Sequence, residues 1–378
     1  MADNCSLEMG KETKGLCPEV TLHGLQRIKG EKMAIKTNGK SRILEAMRGL
    51  HINHTLRAAV KLEFFSLLEK KPLTGGEIKI QLKLNGRGLY DFLDVLVSLG
   101  LLDRDGDGKD ARYSNTEEVS LFLVKGSPHY IGWSLEFMMQ SIEKSWANLA
   151  DALKTGKPQR QDMKGTGKEL FEATYDTEEK SKSFIEGMNF GQMISFKDFI
   201  LKFDFSGCKT LCDIGGANAL FSIMIAQQQK HIKLFSFDLP ILESFARGKI
   251  EKAGLSDRIT VVNGNFFEDD FPETDIITMG NILHDWNLAQ KKQLIAKAYA
   301  ALPPGGKLVV IESIIDNERR KNTNGLLMSL NMLLVTVGGF DFTAADFDSW
   351  SREAGFKKTT CMPLTGNSSA VIAYKKEE

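Results

Sequence analysis

Apolar residues recur along this chain with helical spacing in some stretches and as short blocks in others. Between residues 87 and 99 they fall at three- and four-residue steps (Leu89, Phe92, Leu93, Leu96, Leu99), the pattern of a helix with one buried face. From Lys209 onward short apolar runs alternate with longer periodic ones. The runs 210–214, 233–237, 259–263, 275–279 and 307–312 read as strands, and 357–362 with 370–374 as a closing pair. Strand-helix units followed by a hairpin predict an α/β architecture: a doubly wound sheet with an antiparallel edge.

The first part of the chain is patterned differently. Ser41 is placed to cap a helix through Met47 and beyond, and a second helical run covers 53–68. Pro72-Leu73-Thr74 opens a short helix over 75–82, Asn85-Gly86 breaks it, and the periodic helix 87–99 follows, ended by Gly100. Leu101-Leu102-Asp103 and Arg112-Tyr113-Ser114 then flank the turn Asp105-Gly106-Asp107-Gly108. Helix, turn, helix and hairpin make a winged-helix pattern. The acidic stretch 103–110 lacks the spacing and the terminal Glu of a calcium loop, so it reads as a solvated wing tip. Residues 116–158 and 168–202 look helical, separated by a polar loop. Residues 1–40 are polar with little periodicity and read as a disordered tail. The expected division is therefore 1–40 tail, 41–158 winged-helix part and 159–378 α/β part.

Composition narrows the possibilities. The 378 residues are 42% hydrophobic, enough for a sizeable core. Forty-nine basic residues balance 49 acidic ones, so no overall field draws the chain to nucleic acid or to a membrane. The helix 87–99, where a winged helix would read DNA, carries Asp91 and Asp94, which disfavours phosphate contact. No apolar run approaches the ~20 residues that span a bilayer. Five scattered cysteines do not form a disulfide framework, and a reducing, cytoplasmic setting fits.

Candidate chemistry gathers at predicted strand ends, where open α/β sheets hold their ligands. The run 275–279 leads into Gly280-Asn281-Ile282-Leu283-His284-Asp285-Trp286, and the next strand ends in Glu312. A histidine and a glutamate at the ends of consecutive strands point to a base and its orienting partner. The first strand ends in Asp213-Ile214-Gly215-Gly216-Ala217-Asn218-Ala219, a turn where backbone can approach a ligand closely. It is not a dinucleotide fingerprint, and Asp213 suits a ligand carrying an amino group. Asp238-Leu239 closes the second strand, where an acid can accept from ribose hydroxyls, and Gly264-Asn265-Phe266 closes the third, where an amide and a ring could meet a purine.

Those segments resemble the S-adenosylmethionine-dependent O-methyltransferases of the caffeic-acid and hydroxyindole (acetylserotonin) type. The likeness runs from about residue 41 to the C-terminus. It rests on Asp213-Ile-Gly-Gly, Phe237-Asp-Leu-Pro, Gly264-Asn-Phe-Phe, Ile282-Leu-His-Asp-Trp, Leu302-Pro-Pro-Gly-Gly, Ile311-Glu-Ser, Ser329-Leu-Asn-Met-Leu and Glu353-Ala-Gly-Phe in order. The resemblance implies a Rossmann-like class I methyltransferase domain behind a winged-helix dimerisation domain that helps wall the partner's site. It implies His284 as general base, Glu312 beside it, and Asp341, after Gly338-Gly339, as a second acid. It implies S-adenosylmethionine as cofactor, held around Asp213, Gly215, Gly216, Asp238, Leu239, Asn265, Phe266 and Gly280. The chain departs from the family at Ala217 and Ala219, where glycines are usual, at Asn265 and Asp341, where longer or charged acids are usual, and at Gly280, where a basic residue is common.

A phenol is mostly protonated at neutral pH, so methylation at oxygen gains from a base near the hydroxyl. Glu312 would take the other ring N–H of His284 and fix its tautomer. No metal ligand set is needed or expected. The acceptor pocket is expected to draw on Phe137, Met188, Asn331 and Met332, with Trp133, Met138, Phe171 and Phe190 as further apolar candidates. The expected partners are a small-molecule acceptor and a second copy of the chain. Alternatives are a same-fold enzyme acting on sulfur, nitrogen or a non-aromatic acid, a DNA-binding regulator, and a scaffold with a degenerate cofactor site.

Overall fold

A computed structural model describes residues 42–127, 129–132, 135, 142–160, 171, 174–175, 177–366 and 368–376. The expected cap at Ser41, the tail 1–40, and the pocket candidates Phe137, Trp133 and Met138 lie outside the described residues, as does the side chain of Phe190. The chain divides into two units at His54. In the first, residues 42–54 are helical and leave Ile43, Met47 and Leu50 more than half exposed.

One correction concerns this helix. It runs unbroken over Arg42–Lys61, where two helices are expected from the sequence. Gly49, His51 and Asn53 fall where the two expected helices meet, but the backbone stays helical through all three. The turn comes later, where Glu63 adopts φ 54° before the short helix Phe64–Leu68.

The second unit opens with the predicted wing. Helices Gly75–Gln81 and Leu89–Ser98 precede the hairpin of β2 (Leu102–Asp105) and β3 (Arg112–Asn115), and β1 (Leu73–Thr74) adds to β3. Leu93, Leu96, Leu102, Tyr113, Phe64 and Phe65 form its core. Asp94 pairs with Arg104 at 3.0 Å.

The remaining strands are β4 (Thr210–Ile214), β5 (Lys233–Asp238), β6 (Ile259–Asn263), β7 (Ile276–Gly280), β8 (Lys307–Glu312), β9 (Lys358–Pro363) and β10 (Ser369–Tyr374). They form one seven-stranded sheet in the order β6-β5-β4-β7-β8-β10-β9. The strands from β4 to β8 pair in parallel, while β10 runs antiparallel to both β8 and β9. The reversed strand therefore lies inside the sheet, and its polar hairpin partner takes the outer place. Burial explains this: the middle of β10 is wholly buried, while β9 has no buried residue. Successive residues feed opposite cores, Leu211, Ile276 and Val309 on one face and Cys212, Ile277 and Val310 on the other. Strand order reverses between β4 and β7, which opens a crevice at their carboxyl ends.

Candidate active site

His284 owes its position to the register of β7 and β8. Gly280 pairs with Ile311, and the Asn281 N–H donates to the Ile311 carbonyl at 3.0 Å. Asn281 then takes φ 51°, which asparagine tolerates better than most residues, and a 3-10 turn over Leu283–Asp285 follows. Glu312, one residue past Ile311, closes this turn. Its Oε1 accepts from the backbone N–H groups of Ile282 (3.1 Å), Leu283 (2.9 Å) and His284 (3.4 Å). Its Oε2 lies 3.5 Å from His284 Nδ1.

Asp341 approaches from a different segment, between the helices Thr323–Val335 and Ala344–Ala354. Gly338 and Gly339 bring that segment against the histidine turn. A Cβ on Gly339 would meet the His284 carbonyl at 2.5 Å, and one on Gly338 would meet Asn287 Cβ at 2.9 Å. The shorter acid therefore still reaches: Asp341 Oδ1 is 3.4 Å from His284 Nδ1. Both carboxylates are fully buried. At these separations they are ion-pair contacts, longer than a well-formed hydrogen bond. Two acids at Nδ1 favour a proton on that nitrogen, so the second proton of the ring would come and go at Nε2. Asp285 Oδ1 lies 3.7 Å from Nε2.

The charges act strongly on one another. Burial presses the His284 pKa down, but Glu312, Asp285 and Asp341 outweigh it and carry it up to about 10. Burial lifts Glu312 to about 7 and Asp285 to about 6, with His284 pulling against the rise in each. One ligating atom from each of His284, Glu312 and Asp341 lies within 4.8 Å of the others, a spacing that would also suit a divalent cation. The acids favour the protonated imidazole at the centre of this cluster, and Lys291 adds an ammonium from the helix Leu288–Ala301.

Across the crevice, Asp238 ends β5 and is half-buried. Its two oxygens accept from the N–H groups of Ala217 (2.8 Å) and Leu239 (2.7 Å), so the carboxylate is fixed against the glycine turn. Gly215 has φ 73°, and added Cβ atoms at Gly215 and Gly216 would collide with Ile282 and Ser236. Ala217 and Ala219 take φ 47° and 61° without the freedom of glycine. Asp213 is buried and accepts from Thr278 Oγ1 at 2.7 Å; burial lifts its pKa to about 7. Burial likewise lifts Asp238 to about 6. Asn218 is buried with its amide oxygen unpartnered. This donor set fits S-adenosylmethionine: Asp238 for ribose hydroxyls, the Gly215–Gly216 backbone for close approach, and Asp213 for the amino group.

Other expected residues have local structural roles. Asn265 Oδ1 accepts from the Phe267 N–H at 3.0 Å, forming a side-chain turn. Phe266 packs edge-on to Trp286 at 5.6 Å. Gly280 makes room for Phe196, whose ring would stand 2.7 Å from an added Cβ. Met332 is buried, Met188 is half-buried, and Asn331 Oδ1 accepts from Trp146 Nε1 at 3.1 Å.

Tyr175 and Lys291 escaped the sequence reading, and Trp286 entered it only as part of the motif. Trp286 stacks on Phe171 at 5.5 Å, and Phe171 stacks on Tyr175 at 5.7 Å, giving the crevice an aromatic wall. Burial raises the Tyr175 pKa well above its ordinary value, and both Asp238 and Asp285 add to the rise, so this hydroxyl senses the acids of both halves. Lys291 is buried, although the sequence pairs it with solvent-facing Lys292. Its three-, four- and seven-residue spacing to Leu294, Ile295 and Ala298, all buried, marks the apolar face and was the available signal.

Comparison with known proteins identifies the family. Residues 146–357 match the O-methyltransferase domain family, and residues 44–125 match the O-methyltransferase dimerisation domain. The tetracenomycin polyketide synthesis 8-O-methyl transferase TcmO of Streptomyces glaucescens is 31% identical, over 89% of this chain and 97% of its own length. The N,N-dimethyltransferase OxyT of Streptomyces rimosus is 30% identical, over 83% of this chain and 90% of its own. The crystal structure of human N-acetylserotonin methyltransferase in complex with SAM superposes with a TM-score of 0.78 at 28% identity, covering 90% of this chain and 99% of that one. The chain therefore belongs to the S-adenosylmethionine-dependent O-methyltransferase family.

Proposed function

We propose that the acceptor is a small aromatic hydroxyl compound and that His284 removes its proton. The observation that carries this is the imidazole with two buried carboxylates at Nδ1, which leaves Nε2 as the base beside an aromatic wall. Bound S-adenosylmethionine supplies a methyl group activated by its sulfonium. Asp213, Gly215, Gly216 and Asp238 hold that cofactor, with Leu239, Asn265 and Phe266 around its base and ribose. Glu312 and Asp341 hold the ring orientation and stabilise the imidazolium once the proton arrives. Phe171, Tyr175 and Trp286 face the acceptor, and Asn331 orients it. TcmO is named for methylation at oxygen and the human enzyme for N-acetylserotonin, a hydroxyindole, which supports the same class here. OxyT is named for methylation at nitrogen, so aromatic amines are the second class to test.

The working form is a homodimer in the cytoplasm. Exposed Ile43, Met47 and Leu50 lie at four- and three-residue steps on one helix face within the dimerisation-domain match, whose wing and helices belong to the part 41–158 ahead of the catalytic part. Reduced conditions would keep buried Cys208 and Cys212 as the thiols they are.

The experiment is a labelled-methyl screen of phenols, hydroxyindoles, aromatic amines and thiols with the wild type and His284→Ala. Phenol turnover is expected to fall by ~10²–10⁴-fold in the variant. Wild-type phenol turnover by His284→Ala would remove the base assignment, and a screen positive only for amines would move the acceptor to nitrogen.

A further inference from the structure

The helix Leu288–Ala301 buries a lysine in its first turn. Lys291 is fully buried, while Lys292 beside it pairs with Glu353 at 2.6 Å at the surface. A first-turn cation opposes the helix dipole, and a buried ammonium is costly without compensation. Neither helix stability nor packing favours a lysine here, so its surroundings must supply the reason.

Those surroundings are the catalytic cluster. Lys291 Nζ donates to the carbonyl of Trp286, two residues past His284. It also sits 3.7 Å from the ring centroid of Phe340 and 6.0 Å from that of Phe342, the residues on either side of Asp341. One ammonium thus joins the turn that carries the base to the segment that carries one of its acids. Burial lowers its pKa to about 8, against the pull of Glu312, Asp341 and Asp285. It remains charged at neutral pH.

We propose that Lys291 is a positioning residue for the transfer reaction: its buried ammonium offsets the carboxylates of Asp285, Glu312 and Asp341, so that His284 does not hold its proton too tightly to act as a base. This rests on His284 being the base. The same three acids face both Lys291 and His284, one from the turn, one from β8 and one from the segment between helices. Tyr175 faces Asp285 as well. Removing a positive charge from beside His284, Glu312 and Asp285 raises their proton affinities, whichever atom carries the proton.

The test uses the full-length enzyme with Lys291→Met and Lys291→Arg. NMR follows the His284 ring proton, identified by its loss in His284→Ala, and kinetics give the pH dependence of kcat/KM. In Lys291→Met the His284 titration and the acid limb should both move up by about one pH unit, while Lys291→Arg stays near the wild type. A variant whose rate falls equally at every pH, with the His284 titration unmoved, would overturn the proposal and leave Lys291 a packing residue. If Lys291→Met does not fold, the wild type still decides: the Lys291 ¹⁵Nζ resonance must shift as His284 titrates, and independence of the two overturns the coupling. A failed base assignment shows itself separately, as undiminished phenol turnover by His284→Ala.

Discussion

Replacing Glu312 by glutamine isolates the charge of the acid that both closes the histidine turn and faces the ring. The amide keeps one oxygen for the N–H groups of Ile282 and Leu283, 3.1 and 2.9 Å from Oε1, so the turn can survive. What disappears is a negative charge 3.5 Å from Nδ1. At an effective dielectric of 20 that separation corresponds to about 5 kcal/mol of attraction for an imidazolium. Glu312 is itself raised to about 7, so its charge acts only in part near neutral pH, and His284 is expected to lose ~1–3 pH units of proton affinity. The acid limb of kcat/KM in the free enzyme should therefore move down from the alkaline range towards the ordinary imidazole value of about 6.5. The maximum rate should fall in the same variant. The amide NH₂ can donate to Nδ1, which favours the tautomer with its proton on Nε2 and costs up to ~10⁴-fold, as a mis-set tautomer does in a serine-protease triad. The sign runs opposite to that expected for Lys291→Met, so the two variants check one electrostatic picture from both sides. An acid limb that stays where the wild type has it would refute the reasoning, because the charge nearest the ring would then have no hold on its proton.

Two further outcomes follow from the structure. Ala217→Gly should raise unfolding free energy by ~0.5–1 kcal/mol in urea, because φ 47° suits glycine and the lost methyl is only half-buried; a destabilised variant would show that the turn is unstrained. Met47→Asp with Leu50→Asp should give a monomer in analytical ultracentrifugation, and a wild type that already sediments as a monomer would rule out dimerisation through this helix.

Much of the sheet was legible because its strands are continuous apolar runs whose ends coincide with polar or glycine residues. The runs 210–214, 259–263 and 307–312 match β4, β6 and β8 residue for residue. The placement of His284 and Glu312 followed from those boundaries, since strand ends fix which residues face the crevice. Asp341 was identified only through the family motif. Nothing local in Gly338-Gly339-Phe340-Asp341 shows that two missing side chains let the segment lie against the histidine turn. Gly280 likewise depends on distant chain: an added Cβ would meet Phe196 from the helix Glu178–Lys202, a contact more than eighty residues away in sequence. The helix break expected near Asn53 failed for a simpler reason. Polar residues are permitted on an exposed helix face, and only a backbone excursion such as Glu63 ends the run.

Lys291 shows why charge inside such a site has to be considered as a set. Taken alone, each of the three acids around His284 favours the imidazolium, and together they would leave little base at neutral pH. Each is also required by structure: Glu312 closes the turn, Asp341 follows a glycine pair that only fits there, and Asp285 belongs to the turn itself. The fold therefore cannot relieve the excess by deleting an acid without loosening the base. An added cation can relieve it, provided it comes from outside the turn and needs no contact with the ring. A lysine on the apolar face of the following helix, held by the Trp286 carbonyl and the Phe340 ring, meets both conditions. The local helix preference it violates is the cost of keeping an orienting network and a usable base in the same place.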